Sequence, residues 1–347
     1  MLTASLVEYS VRHMKAAVLH GPRDLRVEAW GAPQPGPDDV LVRVATAGLC
    51  GTDYRIWSGA RPVGYPRIMG HELVGRVEAV GRDVTRLSAS DRVVVEPNYS
   101  CGQCPLCREG NKNLCLARTA VGIDVDGGFA ELVRVPSRCC WPAPAGVADE
   151  DLLITEPLAV VVRAVNRAQP KAGEAAAVVG AGTLGLLALQ VLKARGVRVL
   201  VVSRTRRRFD LARKLGAEDT WAVSDGALDA AACRFSGREG VDCVVETAGT
   251  GDAVNHALAL VRPGGRVVLT GLSHEPTPVA FFSVVRREVT IAGSMIYQDE
   301  FPEALALVAA GAVQARPLVT HRFGLDAIGE AFTAHADSAS IKVALVL

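Results

Sequence analysis

Residues 175–203 read AAAVVGAGTLGLLALQVLKARGVRVLVVS, and that stretch decides the fold of the half of the chain around it. A run of small and β-branched residues comes first. Gly180, Gly182 and Gly185 follow in the spacing G-x-G-x-x-G, then a run of helical character and a second β-run. Glycines at this spacing between a strand and a helix permit a tight turn, a close backbone approach and close strand–helix packing. Together they set a pyrophosphate at the helix N-terminus. Gly180, Gly182, Thr183, Leu184 and Gly185 are therefore candidate cofactor contacts. The run from Ala175 to Leu192 is apolar enough to raise the question of a membrane span. The glycines divide it and no second span accompanies it, so a buried strand, turn and helix is the reading.

Outward from this core, β-runs and amphipathic helices alternate after Ala148: VRVLVVS, RRRFDLARKLGA, VDCVVETAG, AVNHALALVRPGG and RVVLTGL. Such alternation calls for a doubly wound parallel sheet with helices on both faces, an α/β fold. The β-run VRVLVVS ends at Ser203, where a site selective for NAD would carry an acid for the ribose hydroxyls. Arg204, Arg206, Arg207 and Arg208 follow. A hydroxyl with guanidinium groups suits a 2′-phosphate that a carboxylate would repel, so NADP(H) is expected in preference to NAD(H), with Ser203, Arg204 and Arg208 as contacts.

Before Ala148 the pattern differs. Short β-runs (AAVLH, DVLVRVATAG, VGRVEAVG, DRVVVEP, GGFAELVRVP) are separated by Pro and Gly turns, which predicts a mostly β domain. The tail carries helices at PEALALVAAG and LDAIGEAFTAH and closes on IKVALVL, a strand expected to rejoin the N-terminal β-domain. With 347 residues, two domains are the natural division. A formal net charge of +1 gives no bias toward nucleic acid or membrane, and Met1 to Ser10 has no secretory pattern, so a cytoplasmic protein is expected. Residues 1–13 read as an extension ahead of MKAAVLHGP.

The segment CGQCPLCREGNKNLC places Cys101, Cys104, Cys107 and Cys115 in the array C-x2-C-x2-C-x7-C. Four closely spaced thiolates on a loop suit a tetrahedral structural zinc, and the reducing cytoplasm argues against disulfides. Cys139, Cys140, Cys233 and Cys243 lack such spacing and read as packing residues. A second constellation is scattered: Cys50 in AGLCGTD, His71 and Glu72 in GHELVG, and Glu156 in TEPLA. Each alone has an ordinary explanation as core or surface residue. Together they supply the mixed S, N and O donors that a catalytic zinc uses while keeping one position open.

At these residues the sequence resembles the zinc-containing medium-chain dehydrogenase/reductase family, on its polyol and threonine dehydrogenase side, from Met14 to Leu347. The string GHELVGRVEAVGRDV matches the zinc signature of that family, as does the gap of 21 (71 − 50) between Cys50 and His71. The resemblance implies a Rossmann domain over 158–292. It implies a GroES-like catalytic domain with two zinc sites over 1–157 and 293–347. It further implies that Cys50, His71 and Glu156 bind catalytic zinc, with Glu72 exchanging in or standing behind them, and that Thr52 relays the alcohol proton. Thr247, Thr270, Gly271, Leu272, Gly293 and Ser294 would line the cofactor, and Lys342 would lie near its pyrophosphate.

The sequence departs from the family at Arg55, where many relatives have histidine. Arg55 orders a water chain, contacts a polar or anionic substrate, or is a solvated side chain; L-threonine becomes doubtful as substrate. Tyr54, Arg55, Trp57, Tyr99 and Tyr297 are candidates for the substrate pocket. The implied activity is hydride transfer between NADP(H) and a secondary alcohol or polyol, by a homo-oligomer, dimer or tetramer, with a small molecule as its only other partner. The alternatives are a metal-independent quinone or enone reductase of the same fold and a non-catalytic nucleotide-binding structural protein.

Overall fold

The structure, a computed structural model, describes residues 13–273 and 276–347. The proposed N-terminal extension lies outside them, save His13, which opens the strand His13–Gly21. Six parallel strands form one sheet in the spatial order Asp219–Ala222, Arg198–Ser203, Ala175–Val179, Val241–Glu246, Val261–Leu269, Thr290–Gly293. The strand order reverses between Ala175–Val179 and Val241–Glu246. That switch point leaves a crevice at the carboxyl ends of the strands, where ligands bind in such sheets.

The three glycines of the opening stretch do three different jobs. Gly180 has φ +107°, a left-handed conformation that a side chain would strain. A Cβ on Gly185 would lie 1.9 Å from the Gly180 carbonyl oxygen, so helix Thr183–Ala194 can pack on its strand only because Gly185 has none. A Cβ on Gly182 would meet nothing nearer than 3.9 Å, so the backbone there faces open space, as a site approached by a ligand requires.

The N-terminal half folds into mostly antiparallel sheets. Strand Asp39–Leu49 is central, flanked by Glu72–Val80 on one side and by Lys342–Val346 on the other, with Leu132–Pro136 also pairing to it. The closing strand does rejoin this sheet: Val343 pairs with Leu49 and Val346 with Thr46. Burial of Val40, Val42, Leu49, Leu73, Val93, Phe129, Phe332 and Leu345 makes its core. A separate core, containing Leu186, Leu189, Val199 and Val245, also takes in Leu158, Val162, Tyr297, Phe301, Leu305 and Val308. Helix Phe301–Ala309 therefore packs with the parallel-sheet domain, against Thr155–Ala168. No described helix is long and apolar enough to cross a membrane.

Several elements carry no sequence signal of their own strong enough to announce them. Helix Gly51–Trp57 is only seven residues long and follows directly on a strand. Strand Asp24–Gly31 has an irregular burial pattern, and helix Leu228–Ser236 mixes alanines with charges.

Candidate active site

Cys50 sits where strand Asp39–Leu49 gives way to helix Gly51–Trp57, and the first turn of that helix is tied by Asp53. Its carboxylate accepts from the Cys50 backbone N–H at 2.9 Å and from the Gly70 N–H at 3.3 Å, and it faces Nδ1 of His71 at 3.3 Å. Asp53 is fully buried. One carboxylate thus fixes the cysteine-bearing turn, the backbone before the histidine and the histidine ring. With Nδ1 turned to Asp53, Nε2 is the nitrogen left for a ligand, the arrangement by which metal-binding histidines are held. Burial alone would push the imidazole pKa down; Asp53 and Cys50 overcome it, so the ring stands well above its ordinary value.

Donor atoms of Cys50, His71 and Glu72 all lie within 4.8 Å of one another. Glu72 is fully buried, and both of its oxygens accept from the Lys342 ammonium at 2.7 Å. Space for that carboxylate exists because residue 48 is glycine: a Cβ there would lie 1.9 Å from a Glu72 oxygen. Burial works against the Lys342 charge, but Glu72 and Cys50 raise its pKa on balance. Lys342, expected beside the pyrophosphate, thus has its charge committed to Glu72. Glu156, near the start of helix Thr155–Ala168, lines the same cavity but stands outside the 4.8 Å group. Burial lifts its pKa to about 7, with His71 drawing it down and Glu72 pushing it up.

This cavity, of about 400 Å³, has two walls. Cys50, Thr52, His71, Glu72 and Glu156 belong to the metal-donor side. Gly182, Thr183, Leu184, Thr247, Thr270, Gly271, Leu272 and Ser294 belong to the crevice of the parallel sheet. Thr270 Oγ1 and Ser294 Oγ are buried without a hydrogen-bond partner among the described residues, which is costly unless a ligand completes them. Gly293 ends the edge strand and is not part of the wall. Glu246, which opens the turn ETAG that the resemblance places along the cofactor, shapes that turn by accepting from the N–H groups of Ala248 and Gly249 at 2.6 and 2.8 Å.

A second cavity, of about 650 Å³, continues from Gly180 to the end of strand Arg198–Ser203 and is lined by Ser203, Arg204, Arg207, Arg208 and His256. Arg208 differs from expectation. Its guanidinium donates to the carbonyls of Ala181 at 2.9 Å, Ser338 at 3.0 Å and Ser340, so its donors are spent tying the glycine loop to the segment before the closing strand. Arg206 pairs with Asp225. Arg204 and Arg207 have no carboxylate partner among the described residues.

The aromatic candidates also fall elsewhere. Of Tyr54, Arg55, Trp57, Tyr99 and Tyr297, only Arg55 lines the metal-donor cavity. Tyr54 and Trp57 pack on His335 and Phe332. Tyr297 is buried, its hydroxyl accepting from the Asn98 amide at 2.8 Å. Their apolar bulk was needed for the core, which a lone aromatic in a sequence does not reveal.

Thirty residues after His71 in the chain (101 − 71), the cysteine loop is compact. Sγ separations are 3.5 Å for Cys104–Cys107, 3.9 Å for Cys104–Cys115 and 3.5 Å for Cys101–Cys115. Zinc–sulfur bonds of about 2.3 Å in a tetrahedron put the sulfurs about 3.8 Å apart, so the four thiols already hold the spacing the ion needs. Backbone N–H groups of Leu116 and Cys107 bring the Cys104 thiol down to about 6, while burial pushes Cys107 up to about 11. Cys139, Cys140 and Cys243 are buried, as packing residues should be; Cys233 is exposed instead.

Residues 36–145 match the alcohol dehydrogenase GroES-like domain and residues 183–310 match the zinc-binding dehydrogenase domain. Sorbitol dehydrogenase of Homo sapiens is 33% identical over 337 residues, which is 94% of each chain. The chain belongs to the zinc-type medium-chain dehydrogenase family. It is an alcohol or polyol dehydrogenase, with the GroES-like and Rossmann-like domains that the sequence led us to expect. A zinc-binding dehydrogenase of Sinorhizobium meliloti 1021, solved with NADP, superposes with a TM-score of 0.92 at 34% identity, over 97% of this chain and 100% of that one. The rspB alcohol dehydrogenase of Escherichia coli CFT073, solved with NADH, gives 0.91 at 31% identity over 96% and 99%. The dehydrogenase thus has relatives that hold either nicotinamide dinucleotide.

Proposed function

We propose that the dehydrogenase is zinc-dependent and moves a hydride between NADP(H) and a secondary alcohol or polyol, or its ketone. The observation that carries this reading is a single cavity. Cys50, His71 and Glu156 stand on one wall, and Gly182–Leu184, Thr270 and Ser294 stand on the other. In this reading Cys50, His71 and Glu156 hold the catalytic ion, with Glu72 kept behind them by Lys342. Zinc there supplies Lewis-acid polarisation of the reacting carbon–oxygen group, and the nicotinamide supplies the hydride acceptor or donor.

The chain's own residues would do the remaining work. Asp53 orients the His71 ring. Thr52, in the cavity wall, passes the alcohol proton outward. Thr270 Oγ1 and Ser294 Oγ, unpartnered among the described residues, are available to orient the nicotinamide half, and the crevice holds it against the substrate. The four cysteines 101, 104, 107 and 115 would bind a second, structural zinc. Preference for NADP rests on Ser203, Arg204 and Arg207; Arg208 is occupied.

The division of the chain at 157/158 and 292/293 is kept as a proposal for its first crossover. For the second, the packing of Phe301–Ala309 favours a boundary nearer residue 318. Homo-oligomerisation is supported by the exposed Phe281, Phe282, Val285 and Ile291 beside the edge strand Thr290–Gly293. A cytoplasmic setting agrees with nine free thiols.

The test is a screen of polyols, cyclitols and secondary alcohols with NADP and NAD, read by NAD(P)H absorbance, alongside zinc analysis of the purified protein. Turnover lost on chelation and regained with zinc is expected. Activity that survives metal removal would favour a metal-independent reductase, and two ions per chain with no oxidation of any substrate would favour a structural protein.

A further inference from the structure

The cavity carries more positive charge than the proposed chemistry needs. Arg55, Arg61 and Arg118 all line it, each half-buried. The other ionisable groups of its wall balance, with the Asp53 carboxylate buried behind His71 and outside the wall. Glu72 is neutralised by Lys342, and the Cys50 thiolate and the Glu156 carboxylate would face a divalent ion. Burial brings the pKa of His335, also in the wall, down to about 4, so it adds no charge near neutrality. Three guanidiniums remain. Arg55 and Arg61 have no carboxylate partner among the described residues. Arg118 donates to Asn98 Oδ1, and the Asn98 amide is itself held by the Tyr297 hydroxyl, so its guanidinium is fixed without being neutralised.

All three belong to the metal-donor side of the molecule. Arg55 lies in helix Gly51–Trp57, Arg61 hangs from it through its N–H to the Arg55 carbonyl at 2.9 Å, and Arg118 immediately precedes strand Thr119–Ala120. The phosphates of a dinucleotide are assigned to other groups, the open backbone at Gly182 on the opposite wall and Ser203, Arg204 and Arg207 in the neighbouring cavity. Partly desolvated arginines attract an anion strongly and match the two oxygens of a carboxylate or phosphate. A neutral polyol would leave them without a counter-charge.

We infer that the substrate is anionic: a hydroxylated carbon chain ending in a carboxylate or a phosphate monoester, whose charged end is held by Arg61 and Arg118 with Arg55 adding positive potential. This deepens the proposed function and rests on it. Substrate length is bounded as well, because the anion must reach the arginines while its reacting hydroxyl stays at Cys50, His71 and Glu156.

The experiment uses the zinc-loaded full chain with NADP and four probes: D-sorbitol, butane-2,3-diol, D-gluconate and D-sorbitol 6-phosphate. Initial rates give kcat/KM, and calorimetry in the presence of NADPH gives binding. An anionic probe is expected to exceed the neutral ones in kcat/KM by about tenfold or more, the effect of one charge-assisted hydrogen bond. Which anion wins separates carboxylate from phosphate. In Arg118→Leu and Arg61→Leu the ratio of anionic to neutral kcat/KM should fall by a similar factor through KM, and Arg118→Lys should recover part of it. Unchanged melting temperature and NADPH affinity establish that each variant is folded.

Neutral probes equal to or better than both anions would overturn this inference and leave the dehydrogenase reading intact. Equal loss of NADPH affinity in the arginine variants would assign these residues to the cofactor and also overturn it. Failure of all four probes to bind or react would overturn it too; failure of the whole alcohol screen is what would remove the underlying function.

Discussion

The two groups of metal-donor side chains are built in opposite ways. Cys101, Cys104, Cys107 and Cys115 come from one stretch of 15 residues (115 − 101 + 1), and their sulfurs lie within 4.8 Å because the loop is short. The other group draws Cys50 from a strand–helix junction, His71 and Glu72 from the start of the next long strand, and Glu156 from a helix of the other core. The loop can be assembled locally and has little core of its own. The dispersed site exists only when both domains are formed, and it is kept in place by a buried aspartate and a buried lysine that stand behind its donors. A local cluster needs little beyond its own donors; a dispersed one needs further residues to hold its donors in place.

The contrast is broken most sharply by His71→Ala. It should lower kcat/KM by about a thousandfold or more, the several kcal/mol expected of lost Lewis-acid chemistry, while zinc content drops by one ion and circular dichroism is unchanged. Wild-type activity in that variant would remove the dispersed site altogether. Next comes Lys342→Met, which leaves the Glu72 carboxylate buried without its partner and should cost about 3 kcal/mol of stability in urea unfolding. The double variant with Glu72→Gln should recover much of that loss. Equal losses in the single and double variants would show that the pair is not coupled.

Asp53→Asn keeps the size of the side chain but weakens its hold on His71. Zinc affinity and kcat/KM should fall together by about 10- to 100-fold, the usual cost of losing the residue behind a ligand. A change in KM alone would argue against that role. Smallest in its effect on chemistry is Cys104→Ser: one zinc is lost and the melting temperature falls by about 5 °C or more, yet kcat/KM measured well below the transition stays within about threefold of the parent. If this variant loses activity as fully as His71→Ala, the two sites are not separable.

How much of this was legible in the sequence follows the same division. The glycine loop, the cysteine array and the return of the closing strand are set by short-range spacing and alternation, which a sequence displays directly. Asp53 was in view, three residues after Cys50, but an acid in the first turn of a short helix has many uses. Only the approach of Gly70 and His71 gives it one. Lys342 and Arg208 show the same difficulty from the other side. Their charges suggested phosphate, and their positions in the fold deliver them to Glu72 and to three carbonyls instead. Aromatic residues near Cys50 looked like pocket walls, whereas helix Ile328–Ala336 arrives from far along the chain to cover them. In each case the deciding neighbour lies more than a hundred residues away or across a turn that periodicity cannot register.

The strand Lys342–Val346 has a consequence for how the molecule is made. Synthesis delivers the dinucleotide-binding sheet, residues 175–293, before this strand of the N-terminal sheet, so residues 46–49 of the central strand Asp39–Leu49 must wait with one side unpaired, while residues 39–43 can already pair with Leu132–Pro136. During that interval the Glu72 carboxylate also lacks its lysine, 270 residues downstream. The half of the enzyme that carries the proposed metal site is thus the last to mature although it is translated first. A ribosome-stalled chain ending before residue 342 should display a folded nucleotide domain beside an open, protease-sensitive β-domain.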